Sequence, residues 1–120
     1  MTNTTEEPAP EITGYHAHIY FDSETEPAAQ ALRAEIETQF DVVMGRWHHK
    51  PVGPHPKWMY QVAFETDVFA TFTPWLALNR RGLTVFLHPS TSDSLADHTD
   101  FAMWMGEILD LNLDVLTKSP

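Results

Sequence analysis

The stretch from Gly14 to Asp22 alternates with a period of two, the pattern of a strand that buries one face. Tyr15, Ala17, Ile19 and Phe21 fall on one side, and His16, His18, Tyr20 and Asp22 on the other. Such a strand needs a layer of apolar side chains against its first face. Its second face presents two imidazoles at i and i+2, with Cα atoms roughly 6–7 Å apart, near enough for both rings to reach one metal ion. A half-buried strand with a merely polar outer face would read the same, so the remainder of the chain has to decide.

The length of 120 residues allows one domain with a real core, built as one layer of sheet and one of helices. Residues 1–11, rich in Thr, Glu and Pro, read as a disordered arm, and residues 12–120 as the domain. After the first strand, Asp22 to Thr25 offers N-cap chemistry and Pro27 suits a first helical turn, so Ala28–Phe40 is predicted helical with Ala29, Leu32 and Ile36 inward. Val42–His49 reads as a second strand, followed by a loop that three prolines and a glycine impose between Lys50 and Pro56. Trp58–Glu65 is the third strand. Thr66–Asn79 follows as a helix in which Pro74 predicts a kink or an interruption. Leu83–His88 is a fourth strand ended by Pro89, Ser90–Asp97 a polar loop, and Asp97–Leu109 a last helix with Phe101, Met105, Ile108 and Leu109 inward.

The order β-α-β-β-α-β plus a helix is the ferredoxin-like α+β arrangement. It predicts a four-stranded sheet of order 4-1-3-2, with strands 1 and 3 central and parallel and helices on one face. The other face would form a pocket or be covered by a partner, which points to a dimeric α+β barrel. On this topology His16, His18, His48, His49, His55 and His88 are expected to gather at one edge.

Seven His in 120 residues is well above ordinary usage, and they are dispersed through the chain rather than run together as a tag. With no Cys, thiolate metal sites, disulfides and a Cys nucleophile are excluded, leaving His, Asp and Glu as ligands. Clustered neutral imidazoles suit Fe(II), Zn(II), Mn(II) or Cu(II), with Glu65, Asp93, Asp97 or His98 as further ligands. His48 and His49 read more readily as a surface pair or as groups supporting the ligands, and His98 equally as a substrate acid/base or a cap-region polar residue. Trp47, next to the cluster, is expected to line a pocket. The net charge of −10 argues against a nucleic-acid partner. No apolar run approaches a membrane span and residues 1–11 lack the pattern of a secretory signal, so the expectation is a cytoplasmic protein without a membrane partner.

Four blocks in order carry a specific resemblance: Gly14 to Asp22, Gly53-Pro54-His55-Pro56, Leu87-His88-Pro89, and Asp97-His98. Together they resemble the DOPA 4,5-dioxygenase family over about Ile12 to Leu113. The resemblance implies a small, dimeric ferredoxin-like enzyme that cleaves catechols such as DOPA in the extradiol manner with non-haem Fe(II) and O₂, giving a semialdehyde that can cyclise. Transferred to this chain, it implies His16, His18 and His88 as Fe(II) ligands, with Glu65 a weaker candidate. His55 and His98 would be acid/base groups, and Tyr20 or Arg46 would hold a substrate carboxylate. Zn or Ni from a purification would fill the same site. A cofactor-free monooxygenase or isomerase of the same fold, and a metal- or ligand-binding module without turnover, stay open as alternatives.

Overall fold

The alternation of the opening stretch is realised as β1 (Gly14–Phe21), which lies at the centre of the sheet. In the computed structural model, which describes residues 10–117, the elements after it are α1 (Glu26–Gln39), β2 (Val43–His48), β3 (Trp58–Phe64), α2 (Thr66–Asn79) and β4 (Val85–Ser90). Then come α3 (Ser94–Asp97), β5 (Met103–Met105) and α4 (Asp114–Thr117). Most of the expected N-terminal arm lies outside the described residues; Pro10 and Glu11 are exposed.

The architecture is α+β, with one sheet of order β2-β3-β1-β4-β5. This corrects the expected four-stranded 4-1-3-2 sheet: a fifth strand is added outside β4. It also corrects the expected parallel pairing of strands 1 and 3. β1 pairs antiparallel with β3, Tyr15 opposite Phe64 and Phe21 opposite Trp58. β1 is antiparallel to β4 as well, with His16 opposite His88 and His18 opposite Phe86.

The predicted helix over Asp97–Leu109 is replaced by β5 and irregular chain. Trp104 stands opposite Phe86 in the β4–β5 ladder and stacks on it at 4.5 Å. Gly106, at φ +88°, then turns the chain away from the sheet, a conformation that a glycine accepts without steric cost. Pro89 does not end β4. It stands opposite Tyr15, beyond Leu87, the last β4 residue paired with β5, so its missing N–H interrupts no ladder there. Pro74 sits within α2 without ending it.

Both long helices cover one face of the sheet. Ala17, Ile19 and Phe21 of β1 pack there with Ala29, Leu32 and Ile36 of α1 and Phe72 and Leu76 of α2. Full burial of a Leu or Ile side chain stabilises by about 1.5–3 kcal/mol, so this is the main apolar core. Tyr60 closes it with a hydroxyl that donates to the Ala29 carbonyl at 3.1 Å.

The opposite face is not left open. Tyr20, Met59 and Phe86 are buried there beneath Val52, Ala102, Trp104, Leu109 and Leu111. These come from the Pro-rich loop and from the segment after α3, and the two are tied together where the Asn112 N–H donates to the Pro54 carbonyl at 2.8 Å. Segments of the same chain thus cover half of this face. The other half holds the histidines.

Candidate metal centre

His16 and His18 project from β1 onto the second face because strand side chains alternate, and the antiparallel register sets His88 of β4 beside His16. One ring nitrogen from each of His16, His18 and His88 lies within 4.8 Å of the other two. His18 and His88 are buried, and His16 is half-buried at the mouth.

Two more imidazoles reach the group from loops. His55 lies 4.1 Å from His18, centroid to centroid, in a turn closed by its own N–H donating to the Val52 carbonyl, with Gly53 at φ +54°. His98 follows α3 and lies 4.4 Å from His88. These five histidines line a cavity of about 310 Å³ together with Gln61, Ser90, Thr91, Ser94 and Asp97.

Burial favours the uncharged form of His16, His18, His55 and His88. It holds His18 well below the usual imidazole range and lowers His16, with neighbouring imidazoles adding to both effects. His55 and His88 are pushed down to about 4, again mainly by burial. Neutral imidazole is the form that ligates a metal.

The nitrogen partners test whether an ion fits. His88 Nδ1–H donates to the Pro89 carbonyl at 2.7 Å, which leaves the lone pair on Nε2. That Nε2 is 3.1 Å from Nε2 of His18, whose Nδ1 is buried without a partner. With its proton on Nε2, His18 leaves a buried bare nitrogen at Nδ1. With the proton on Nδ1, two Nε2 lone pairs face each other. A cation between them, also reached by His16, resolves the second arrangement, so the three histidines fit a bound divalent metal ion.

A profile of the Dopa 4,5-dioxygenase family matches residues 15–115. The chain belongs to this family. It is similar to an uncharacterised 21.2 kDa protein of Botryotinia fuckeliana, 36% identical over 116 residues that cover 87% of this chain and 63% of that protein. It is also similar to a DOPA 4,5-dioxygenase of Amanita muscaria, 33% identical over 112 residues, covering 86% of this chain and 49% of the relative. The chain thus spans about half to two-thirds of the length of these fungal proteins. The crystal structure of a candidate dioxygenase from Nostoc punctiforme superposes with a TM-score of 0.86 at 47% identity, covering 88% of this chain and 91% of the other.

Within this member of the Dopa 4,5-dioxygenase family, the structure gathers His16, His18, His55, His88 and His98. The expected edge cluster changes membership. His49 turns away to pair with Glu26 at 2.6 Å, and His48 stands opposite Met59 at the far end of the sheet. His98 takes a place in the group instead. His55 arrives by an unexpected route, because the antiparallel β3 starts at the far end of β1 and the loop folds back over the face.

The remaining sequence-predicted residues lie elsewhere. Glu65 is exposed and lines a neighbouring cleft of about 480 Å³ with Asp41 and Asp67, on the other side of His16. The carboxylate of Asp97 is occupied by the N–H and hydroxyl of Thr91, at 2.9 and 2.5 Å. Asp93 is exposed and accepts from the Ala96 N–H as the cap of α3. Tyr20 is 2% exposed and its hydroxyl is engaged with His55 Nδ1 at 2.7 Å. Arg46 is exposed on β2 and does not line the cavity. Trp47 packs on the helix side, stacked on Tyr60 at 5.0 Å and donating to Glu26 at 2.9 Å. Gln61, Ser90, Thr91 and Ser94 are lining residues that sequence reading missed. Gln61 alone had a signal, the alternation of β3 that sets it on the face opposite Tyr60 and Val62.

Proposed function

We propose that this chain is a metal-dependent, extradiol ring-cleaving dioxygenase acting on a catechol such as L-DOPA, with non-haem Fe(II) held by His16, His18 and His88. The reading is carried by one observation: three neutral imidazoles converge within 4.8 Å on a face that two further imidazoles wall in. The family match and the dioxygenase names of its relatives support the same reading. When bound there, the ion would supply Lewis acidity and an electron source beside the catechol and O₂.

The protein groups do the rest. His98 Nδ1–H donates to the Ser94 carbonyl at 2.7 Å, which leaves Nε2 as a proton acceptor for a catechol hydroxyl. Gln61, Ser90 and Ser94 offer polar contacts along the wall, and buried Phe86, stacked on Trp104 at 4.5 Å, packs against the rings of His88 and His98. The proposal includes assembly as a homodimer, favoured by Val43, which is 70% exposed on the edge strand β2.

The test is anaerobic reconstitution with Fe(II) followed by aerobic mixing with L-DOPA. A yellow ring-cleavage product is expected, and none in His18→Ala. No product from any of a panel of catechols would overturn the reading.

A further inference from the structure

Tyr20 and His55 form a buried pair. The Tyr20 hydroxyl lies 2.7 Å from His55 Nδ1, and the two residues are 2% and 6% exposed. The Tyr20 ring is held independently of this bond, stacked on Trp104 at 6.3 Å and packed with Met59 and Phe86. The turn carrying His55 is fixed at its backbone by the Val52 carbonyl and at Pro54 by Asn112.

The direction of the bond follows from what else each group can do. Among the described residues, Tyr20 Oη has no hydrogen-bond partner other than His55. A buried hydroxyl without an acceptor costs about 1–3 kcal/mol, so the O–H proton goes to His55 Nδ1. Neutral His55 then carries its own proton on Nε2. Among the described residues that Nε2 has no hydrogen-bond partner, yet it is not sealed from solvent as His18 Nδ1 is. His55 also lines the cavity, so its Nε2–H faces the cavity space.

His98 is set the opposite way, its Nδ1–H spent on Ser94 and its Nε2 lone pair free. Two histidines on one cavity therefore present unlike nitrogens, His55 fixed by the Tyr20 hydroxyl and His98 by the Ser94 carbonyl.

We infer that Tyr20 is a positioning residue: it holds His55 in the Nε2–H tautomer, so that His55 donates a hydrogen bond to a substrate oxygen in the cavity while His98 accepts a proton. No proton leaves His55 in this role. For what His55 touches, the inference rests on the ring-cleavage reading; the tautomer itself does not.

Two measurements on the full chain test it. In ¹⁵N-resolved imidazole spectra of the metal-free protein, His55 should show a protonated Nε2 and a bare Nδ1, and Tyr20→Phe should move both nitrogens toward an averaged mixture. A protonated Nδ1 on wild-type His55 would overturn the assignment. In the Fe(II)-loaded enzyme, Tyr20→Phe should lower kcat/KM roughly three- to tenfold, the scale of one hydrogen bond. The same change in a His55→Ala or His55→Gln background should cost nothing further. An undiminished effect of Tyr20→Phe in both backgrounds would show that the hydroxyl acts through packing and not through His55. If the wild type turns over no catechol, the ring-cleavage reading fails, while the imidazole spectra still decide the pairing of Tyr20 with His55.

Discussion

The Nε2 atoms of His18 and His88 face each other across 3.1 Å, both side chains buried. His88 is committed by its bond to the Pro89 carbonyl, so the strain of the arrangement falls on His18, whose Nδ1 finds no partner. A purely structural histidine pair would be expected to satisfy all of its nitrogens. This one keeps a polar group unsatisfied in the middle of the sheet, which is tolerable if something outside the chain completes it.

Metal binding should therefore raise the stability of the fold. An ion that binds the folded chain alone stabilises it by about 2.7 kcal/mol at a hundredfold excess over Kd, or roughly 10 °C in Tm for a domain of this size. Thermal unfolding of chelator-treated protein with and without added Zn(II) measures the shift. His18→Ala and His88→Ala should abolish it. A full shift in both variants would place the ion elsewhere, for instance at His48 and His49.

The metal-free protein should lose stability in mild acid. His55 and His88 titrate at about 4 in the folded chain and near 6.5 when unfolded. Between those values the unfolded chain binds protons that the folded chain refuses, so stability is full above about pH 6.5 and declines as pH falls toward 4. At pH 5 the loss should be on the order of 2 kcal/mol per histidine as an upper figure. Urea midpoints at pH 7.5 and pH 5 check this, and equal midpoints would contradict it. His18, also held well below the usual imidazole range by burial, adds to the same trend.

Much of the site was legible because a strand has a strict period. His16 and His18 had to share a face once Tyr15, Ala17 and Ile19 turned toward the helices, and an antiparallel neighbour carrying His88 near its end had to bring that residue alongside. The segment after His98 was illegible for a physical reason. Phe101, Met105, Ile108 and Leu109 fall at helical spacing, but the pairing of Trp104 with Phe86 outweighs local periodicity in so short an apolar run. His49 was misplaced because its preference for Glu26 is a tertiary contact with a helix 23 residues away. No spacing within the second strand could reveal it.

Gly106 is the hinge of that misread segment, and its replacement should be costly. Its φ of +88° disfavours any side chain, and an added Cβ would lie 3.0 Å from Arg80 Nη1 and 3.2 Å from Thr84 Oγ1. Gly106→Ala should destabilise by about 1–3 kcal/mol and loosen β5, seen as weaker hydrogen-exchange protection at Met103–Met105. An Ala variant as stable as the wild type would mean that the turn re-forms without a positive φ.

Asp97 should matter to His98 without serving the metal. A four-residue helix cannot hold itself, and α3 is fastened at both ends by carboxylates: Asp93 accepts from the Ala96 N–H, and Asp97 accepts from the N–H and hydroxyl of Thr91 at the end of β4. His98 is the next residue and takes its position from that anchor. Asp97→Ala leaves the Thr91 N–H without its acceptor and should cost about 1–3 kcal/mol. Asp97→Asn, which keeps one carbonyl oxygen, should cost less. In both, kcat/KM for the catechol should fall while metal content, measured by elemental analysis, stays at the wild-type level, because His16, His18 and His88 are untouched. Loss of the metal in Asp97→Asn would instead make this carboxylate a ligand, and the three-histidine centre would be incomplete as drawn.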